Sequence, residues 1–463
     1  MAARNSMDLT QGSVFKKLIV FVIPILLTNL LQQLYHTADV VVVGNFARDS
    51  QNALASVGSS GTVTTLLLNL FWGLSVGTNV ICANFYGAGK KEELTRAMET
   101  SIAVAAVSGV VIGVVGFFLA EPILTAMGVP QGVLPNAVIY MKIIFLGQPG
   151  SLVYNFGASI LRAHGDTKRP MTILFISGMV NVVLNLVFVA VFHLDSAGVA
   201  LATTISNYVS AALILWILGN PHGEQHLDLR HLRVSAPLLK RIAVIGIPGG
   251  LNGIVFSVSN IIIARAIFTL GETVVAADSA GTSVTNLVYI VLTSFYSASI
   301  SFSGQNYGAG QLGRIHQFLW RCVLLCGSLL FFVSTVVNLF PDFFMGLFTD
   351  NQAVIEAGRE RLFVVSYSYV LYTVSETVIG CLRGMGKSVM PTALNAFFVC
   401  VPRIIWVAFV VPIRPGLGMI YSCYAVSYVL SGIAQISAFY YYMAKEKKQR
   451  AASSAGRYCA PVS

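Results

Sequence analysis

The chain has 463 residues, of which 56% are hydrophobic and only 10% charged, against an ordinary charged share of roughly 25%. So little charge cannot cover a soluble protein of this length, and apolar runs that are continuous rather than alternating exclude a β-barrel, which leaves a polytopic helical membrane protein. The net charge of +10 would suggest nucleic acid in a soluble chain, but here its distribution follows the membrane, and no nucleic-acid partner is expected.

Twelve apolar segments succeed one another near 15–43, 53–85, 98–119, 134–160, 171–192, 197–218, 239–267, 275–305, 318–340, 354–380, 392–412 and 418–443. Several exceed the roughly 20 residues that span a bilayer, so tilt or kinks are expected. The first holds Pro24, which removes a rung of the helix ladder, and a carboxylate, Asp39. Thr28, Gln32, Tyr35 and His36 share its side at helical spacing, and the opposite side is Leu and Val. An ionisable group in a span marks a functional site by default. At about 1.5 Å per residue, Asp39 also lies roughly 33 Å from Lys17, which admits an idle, hydrated place at the interface.

The connection from Gly219 to Lys240 is polar and carries His222, His226 and His231 at no metal-binding spacing, so it reads as a solvated linker. The tail after Tyr442 is basic, then rich in Ala and Ser, and is expected to be disordered and lipid-facing at its start. The seven cysteines lie mostly in apolar runs without metal or redox spacing, and no stretch reads as a cleaved signal peptide. With the N-terminus cytoplasmic, alternate connections hold 22 of the 29 basic residues, while the others carry mainly Arg48 and Arg414 beside Asp49, Glu121, Asp195, Glu272, Asp342 and Asp350. That asymmetry supports twelve spans with both termini cytoplasmic.

The chain repeats itself. Asn84-Phe-Tyr-Gly-Ala-Gly89 returns as Gln305-Asn-Tyr-Gly-Ala-Gly310, and Ile160-Leu-Arg-Ala-His-Gly165 as Cys381-Leu-Arg-Gly-Met-Gly386. Tyr86 and Tyr307, Arg162 and Arg383, and Pro170 and Pro391 all differ by 221 positions, and Pro24 and Pro248 by 224. Each half has six spans starting on the same side, so the expected fold is all-α, with 12 transmembrane helices in two six-helix lobes related by a parallel repeat. The boundaries read as an N-lobe at 1–220, a cytoplasmic linker at 221–238, a C-lobe at 239–443 and a cytoplasmic basic tail at 444–463.

A proline-bearing first span ending in D-x-x-x-x-G, YGAG closing the second span of both halves, and L-R-x-x-G after the fourth span of both resemble the multidrug and toxic compound extrusion (MATE) transporters, nearest the bacterial DinF-like and MepA-like groups. The resemblance implies export of small organic compounds, often cationic and aromatic, in exchange for H⁺ or Na⁺. It implies no cofactor or other metal, a monomer, and a place in the bacterial inner membrane. It makes Asp39 part of a cation site, with Asn155 from the fourth span, Asn181 and Asn185 from the fifth, and Thr203 or Thr204 from the sixth. Some relatives carry a second acid where this chain has Asn185, which leaves the choice between H⁺ and Na⁺ open.

In the second half the seventh span has no acid, only Ser257 and Asn260. Glu376 stands seven residues before Arg383, as Asn155 does before Arg162, and is the second ionisable candidate. Asp278 is expected at the outer interface, and Arg403 is expected to pair with Glu376 or line the cavity. His36 could tune Asp39 or simply pack. Gln32, Tyr35, His36, Ser257, Asn260 and Tyr289 are candidate substrate-cavity residues, and Phe71, Trp72, Phe295 and Tyr296 could add aromatic walls. Rival readings are a lipid-linked saccharide flippase of the same superfamily, for which a more cationic cavity is expected, and a membrane enzyme, for which no zinc, nucleophile or phosphate motif is found.

Overall fold

The computed structural model describes residues 6–220, 226–228, 232–413 and 416–458, without the side chains of 62–68, 70, 254–255, 258 and 453–458. Apolar runs of this length satisfy every backbone group in lipid only by coiling into helices, and among the described residues there are helices and no strands. In order they are α1 (Val14–Phe46), α2 (Ser50–Gly87), α3 (Lys91–Ala126), α4 (Leu134–Leu146), α5 (Gln148–Ala163), α6 (Lys168–Asn185), α7 (Asp195–Leu218), α8 (Ala236–Phe268), α9 (Glu272–Gly308), α10 (Leu312–Leu339), α11 (Pro341–Gly346), α12 (Gln352–Gly384), α13 (Val389–Ile405) and α14 (Leu417–Tyr458).

Nine of these qualify as spans by length and composition among the described residues, and α4 with α5, bent by 44°, makes a tenth. The 38-residue α2 and 33-residue α8 complete the twelve. The bend in the fourth span has a local cause. Pro149 at the start of α5 has no N–H to donate and clashes with the turn before it, so the ladder restarts at Gly147–Gln148. The corresponding α12 has no proline and runs unbroken.

A second irregularity recurs in both halves and is invisible in the sequence. After Asn185, α6 widens into a π-helical turn, Leu186–Val191, and after Ile405 α13 does the same at Trp406–Val410. Such turns concentrate at functional positions because they shift the register of the side chains around them.

Two compact units divide the chain: Met1–Asp8 with Ile19–Gly253, and Leu9–Leu18 with Ile254–Ser463. In the first, Val42 and Val43 of α1 pack against Ala53, Val189 and Val199, which pins the end of α1 beside α6 and α7. In the same unit, a Cβ on Gly73 would lie 2.4 Å from the Gly246 carbonyl, so α2 and α8 cross with their backbones nearly touching. Close approach through small residues is the usual way helices associate where lipid supplies no hydrophobic drive.

In the second unit, Asn306 Nδ2 and Arg314 Nε both donate to the Leu9 carbonyl, at 3.2 and 3.1 Å, and seat the segment before α1. The expected disorder after Tyr442 does not hold: α14 continues to Tyr458. Glu446 accepts from the Tyr307 hydroxyl at 3.0 Å and pairs with Lys387 at 3.2 Å, and Arg450 donates to the Tyr307 carbonyl at 3.1 Å. These contacts, with the good helix formers Ala, Lys, Glu and Gln, keep the extension coiled. His222 and His231 lie outside the described residues.

Candidate functional site

Asp39 is buried among protein groups. Three polar side chains from two other helices meet it. Asn185 Nδ2 donates to Asp39 Oδ1 at 2.5 Å and to Asn181 Oδ1 at 3.1 Å. Asn181 Nδ2 donates to Thr203 Oγ1 at 3.2 Å, and the Thr203 hydroxyl donates to Asp39 Oδ2 at 3.5 Å, closing the circuit.

Local sequence explains how the groups meet. Gly178, Asn181 and Asn185 fall on one face of α6 at i, i+3 and i+7. Tyr35, one turn before Asp39, lays its ring against Gly178, where a Cβ would stand only 1.8 Å from the ring. Its hydroxyl reaches the Phe175 carbonyl at 3.4 Å. Glycine at 178 thus lets α1 and α6 approach closely enough for a 2.5 Å contact between Asn185 and Asp39.

The donor bookkeeping leaves one atom over. Both protons of the Asn185 amide are used, yet its Oδ1 is buried with no donor facing it. Flipping the amide would set that oxygen against the carboxylate, so the hydrogen-bond pattern itself dictates the orientation. Among the described residues no Lys or Arg forms an ion pair with Asp39. A carboxylate buried at membrane depth must be neutralised. Oxygen atoms from a carboxylate, two amides and a hydroxyl suit a hard monovalent cation, or hold a carboxyl that takes up a proton.

Other expected residues stand apart from this circuit. Asn155 turns back on its own helix, donating to the Ser151 carbonyl at 2.8 Å. Thr204 also stays out, donating to the Ile143 carbonyl at 2.9 Å, so Thr203 is the member of that pair at the site. Gln32 and His36 are on the exposed side of α1.

In the second unit Glu376 is buried, and Tyr372, one turn earlier, donates its hydroxyl to Asn395 Oδ1 at 3.4 Å. Arg403 is buried too, but it does not pair with Glu376. Its Nε donates to Ser427 Oγ at 3.1 Å and its Nη1 to Asn260 Oδ1 at 3.5 Å. Its guanidinium carbon lies 4.2 Å from the Tyr424 ring centre, 5.0 Å from Tyr428 and 5.7 Å from Phe256. The physical reason is that a guanidinium can be held by ring faces and neutral acceptors, here including Tyr428, which stacks on Tyr372 at 4.0 Å. Tyr289 joins this cluster through Tyr369 at 5.4 Å, and Ser257, on α8, is half-buried.

Asp278, read as interfacial, is half-buried and salt-bridged to the buried Arg361, with the Tyr421 hydroxyl donating to it at 2.8 Å. Sequence reasoning passed over Arg361. The available signal was depth, since Asp278 and Arg361 each stand about two turns from the start of α9 and α12. Arg383 of the L-R-x-x-G motif is likewise buried and donates to the Tyr296 hydroxyl and to Thr392 Oγ1, the latter at 2.9 Å.

Comparison with known proteins gives the following. The family model MatE matches residues 24–187 and 248–408. A curated relative, the probable multidrug resistance protein YoeA of Bacillus subtilis (strain 168), is 25% identical over 399 residues, covering 84% of this chain and 85% of its own. The probable multidrug resistance protein NorM of Thermotoga maritima is 25% identical over 400 residues, covering 84% of each. Among solved structures, the outward-facing conformation of a multidrug resistance MATE family transporter of the MOP superfamily is 22% identical, with a TM-score of 0.87 over 95% of this chain and 98% of that one.

Proposed function

The chain belongs to the MatE family, and from that premise we propose that it is a secondary active multidrug antiporter. It exports small organic compounds, aromatic and cationic ones foremost, in exchange for H⁺ or Na⁺, by alternating access of its two halves. The observation that supports this best is the buried Asp39 carboxylate, bonded to Asn185 and Thr203, beside the donorless Asn185 Oδ1. The multidrug resistance names of relatives that match 84% of the chain agree with it.

The chemistry is a neutralisation cycle. An inward-bound cation, or a proton, cancels the charge on Asp39, and the oxygens of Asn181, Asn185 and Thr203 stand in for its water shell. The neutral site tolerates the rearrangement of the lobe that the bare carboxylate resists, and release on the other side restores the charge. The hydrogen bonds of Asn185 and Thr203 keep the carboxylate oriented throughout. No cofactor is needed for this work. The protein acts as a monomer in the bacterial inner membrane, with both termini cytoplasmic, as the placement of Lys and Arg implies.

The test is efflux of ethidium and norfloxacin from a pump-deficient bacterial strain, with Na⁺ and pH gradients set separately. Wild type lowers accumulation under at least one gradient and Asp39→Asn does not. Normal export by Asp39→Asn under both would remove the coupling role, and movement of a lipid-linked saccharide in place of either drug would favour a flippase.

A further inference from the structure

The two units treat charge in opposite ways at matched places. In the first, the end of α6 before its π turn presents amides to a carboxylate. In the second, the end of α13 before its π turn presents Arg403, which is 1% exposed. Arg361, another buried arginine of this unit, has Asp278 as its counter-ion. Among the described residues no carboxylate forms an ion pair with Arg403.

Arginine stays protonated wherever it is placed, and a buried ion without a partner is costly even after relaxation. The faces of Tyr424 and Tyr428 offset part of that cost. They leave the fork itself unfinished. Nη2 is buried with no acceptor, and the neighbouring Nη1 has only the long 3.5 Å contact to Asn260, whose side chain is exposed. Those two nitrogens form the edge that binds an oxyanion through parallel hydrogen bonds. Beside that edge stand stacked rings, with Tyr428 on Tyr372 at 4.0 Å and Tyr369 6.3 Å from Tyr428.

We infer that Arg403, with Tyr424 and Tyr428, forms a subsite in the second unit that takes the carboxylate of a flat aromatic compound, Nη2 and Nη1 closing on its two oxygens as the Asn260 contact gives way. Only the idea that such a compound is cargo rests on the export reading. The subsite itself is a binding claim and is tested as one.

The experiment is calorimetric titration of the purified full-length protein in detergent with 2-naphthoate and with its neutral counterpart 2-naphthamide. Wild type is expected to bind the carboxylate about tenfold or more tightly, a difference of about 1.4 kcal/mol. Arg403→Gln should bring the ratio near one without changing naphthamide binding. Should that variant fail to fold, Ser427→Asp answers the same question, because it keeps the arginine, supplies an internal carboxylate at Nε and should also erase the preference. Equal binding of the two compounds by wild type, no binding of naphthoate, or a preference that survives in either folded variant would overturn the subsite. Naphthoate preference without drug efflux in cells would leave the subsite standing and remove the export reading instead.

Discussion

On the proposed reading a single carboxylate, Asp39, carries the chemistry of the first unit, and its neighbours have unequal duties. Asn185 supplies the shortest contact to Asp39 and the one oxygen left without a donor, at 0% exposure. Replacing it by alanine should weaken cation binding about tenfold or more, within the cost of leaving a charged group short of a hydrogen bond. Asn155→Ala removes only a bond to its own helix and should change that affinity by less than about twofold. Titration of ²²Na⁺ or protons into the purified protein separates the two. In the loop between α5 and α6, burial holds the Asp166 carboxyl above the ordinary aspartate range, despite the Arg169 and Lys168 amides that donate to it at 3.1 Å. A raised value means that stability tied to this group is present at acid pH and lost as pH rises through the folded value. The melting temperature of Asp166→Asn relative to wild type should therefore be higher at about pH 7 than at about pH 4.5. A difference that stays flat between them would show that the group titrates alike in the folded and unfolded chains.

Helix packing decides whether these side chains meet. Gly178 gives Tyr35 its seat, and a valine there must push α1 from α6 or expel the ring. Gly178→Val should lose cation binding while retaining most of its helical signal, as read by circular dichroism beside the titration. Gly73 faces backbone rather than a side chain, 2.4 Å from the Gly246 carbonyl, so nothing nearby can rotate away. Gly73→Ala should cost about 1–3 kcal/mol as overpacking does, visible as a lower melting temperature in detergent. Much of this scale was legible beforehand. Asn181 and Asn185 stand one turn apart, and with Thr203 they were matched to the site by resemblance. The π turns and the fourth-span bend were not legible, although Pro149 offered a reason for the latter. The cage around Arg403 was hidden because Tyr424 and Tyr428 come from α14 and Phe256 from α8, and sequence spacing carries no information about which helices adjoin. Expecting Glu376 as its partner followed from charge alone, whereas tyrosine faces and Ser427 meet it instead.

For the whole molecule, the repeated motifs made the twelve-helix plan readable, because residues 24–187 and 248–408 match one family model in turn. Duplication preserved the helices and their π turns but not the charge, which is negative at Asp39 and positive at Arg403. The most direct measurement of the central claim is dye uptake into proteoliposomes holding the purified protein, with an outward or inward gradient of H⁺ or Na⁺ imposed in turn. Wild type should move ethidium against its gradient only when one of the two cations flows the other way, and Asp39→Asn should bind the dye yet show no gradient-driven movement. Gradient-driven accumulation by Asp39→Asn equal to that of wild type would contradict the account.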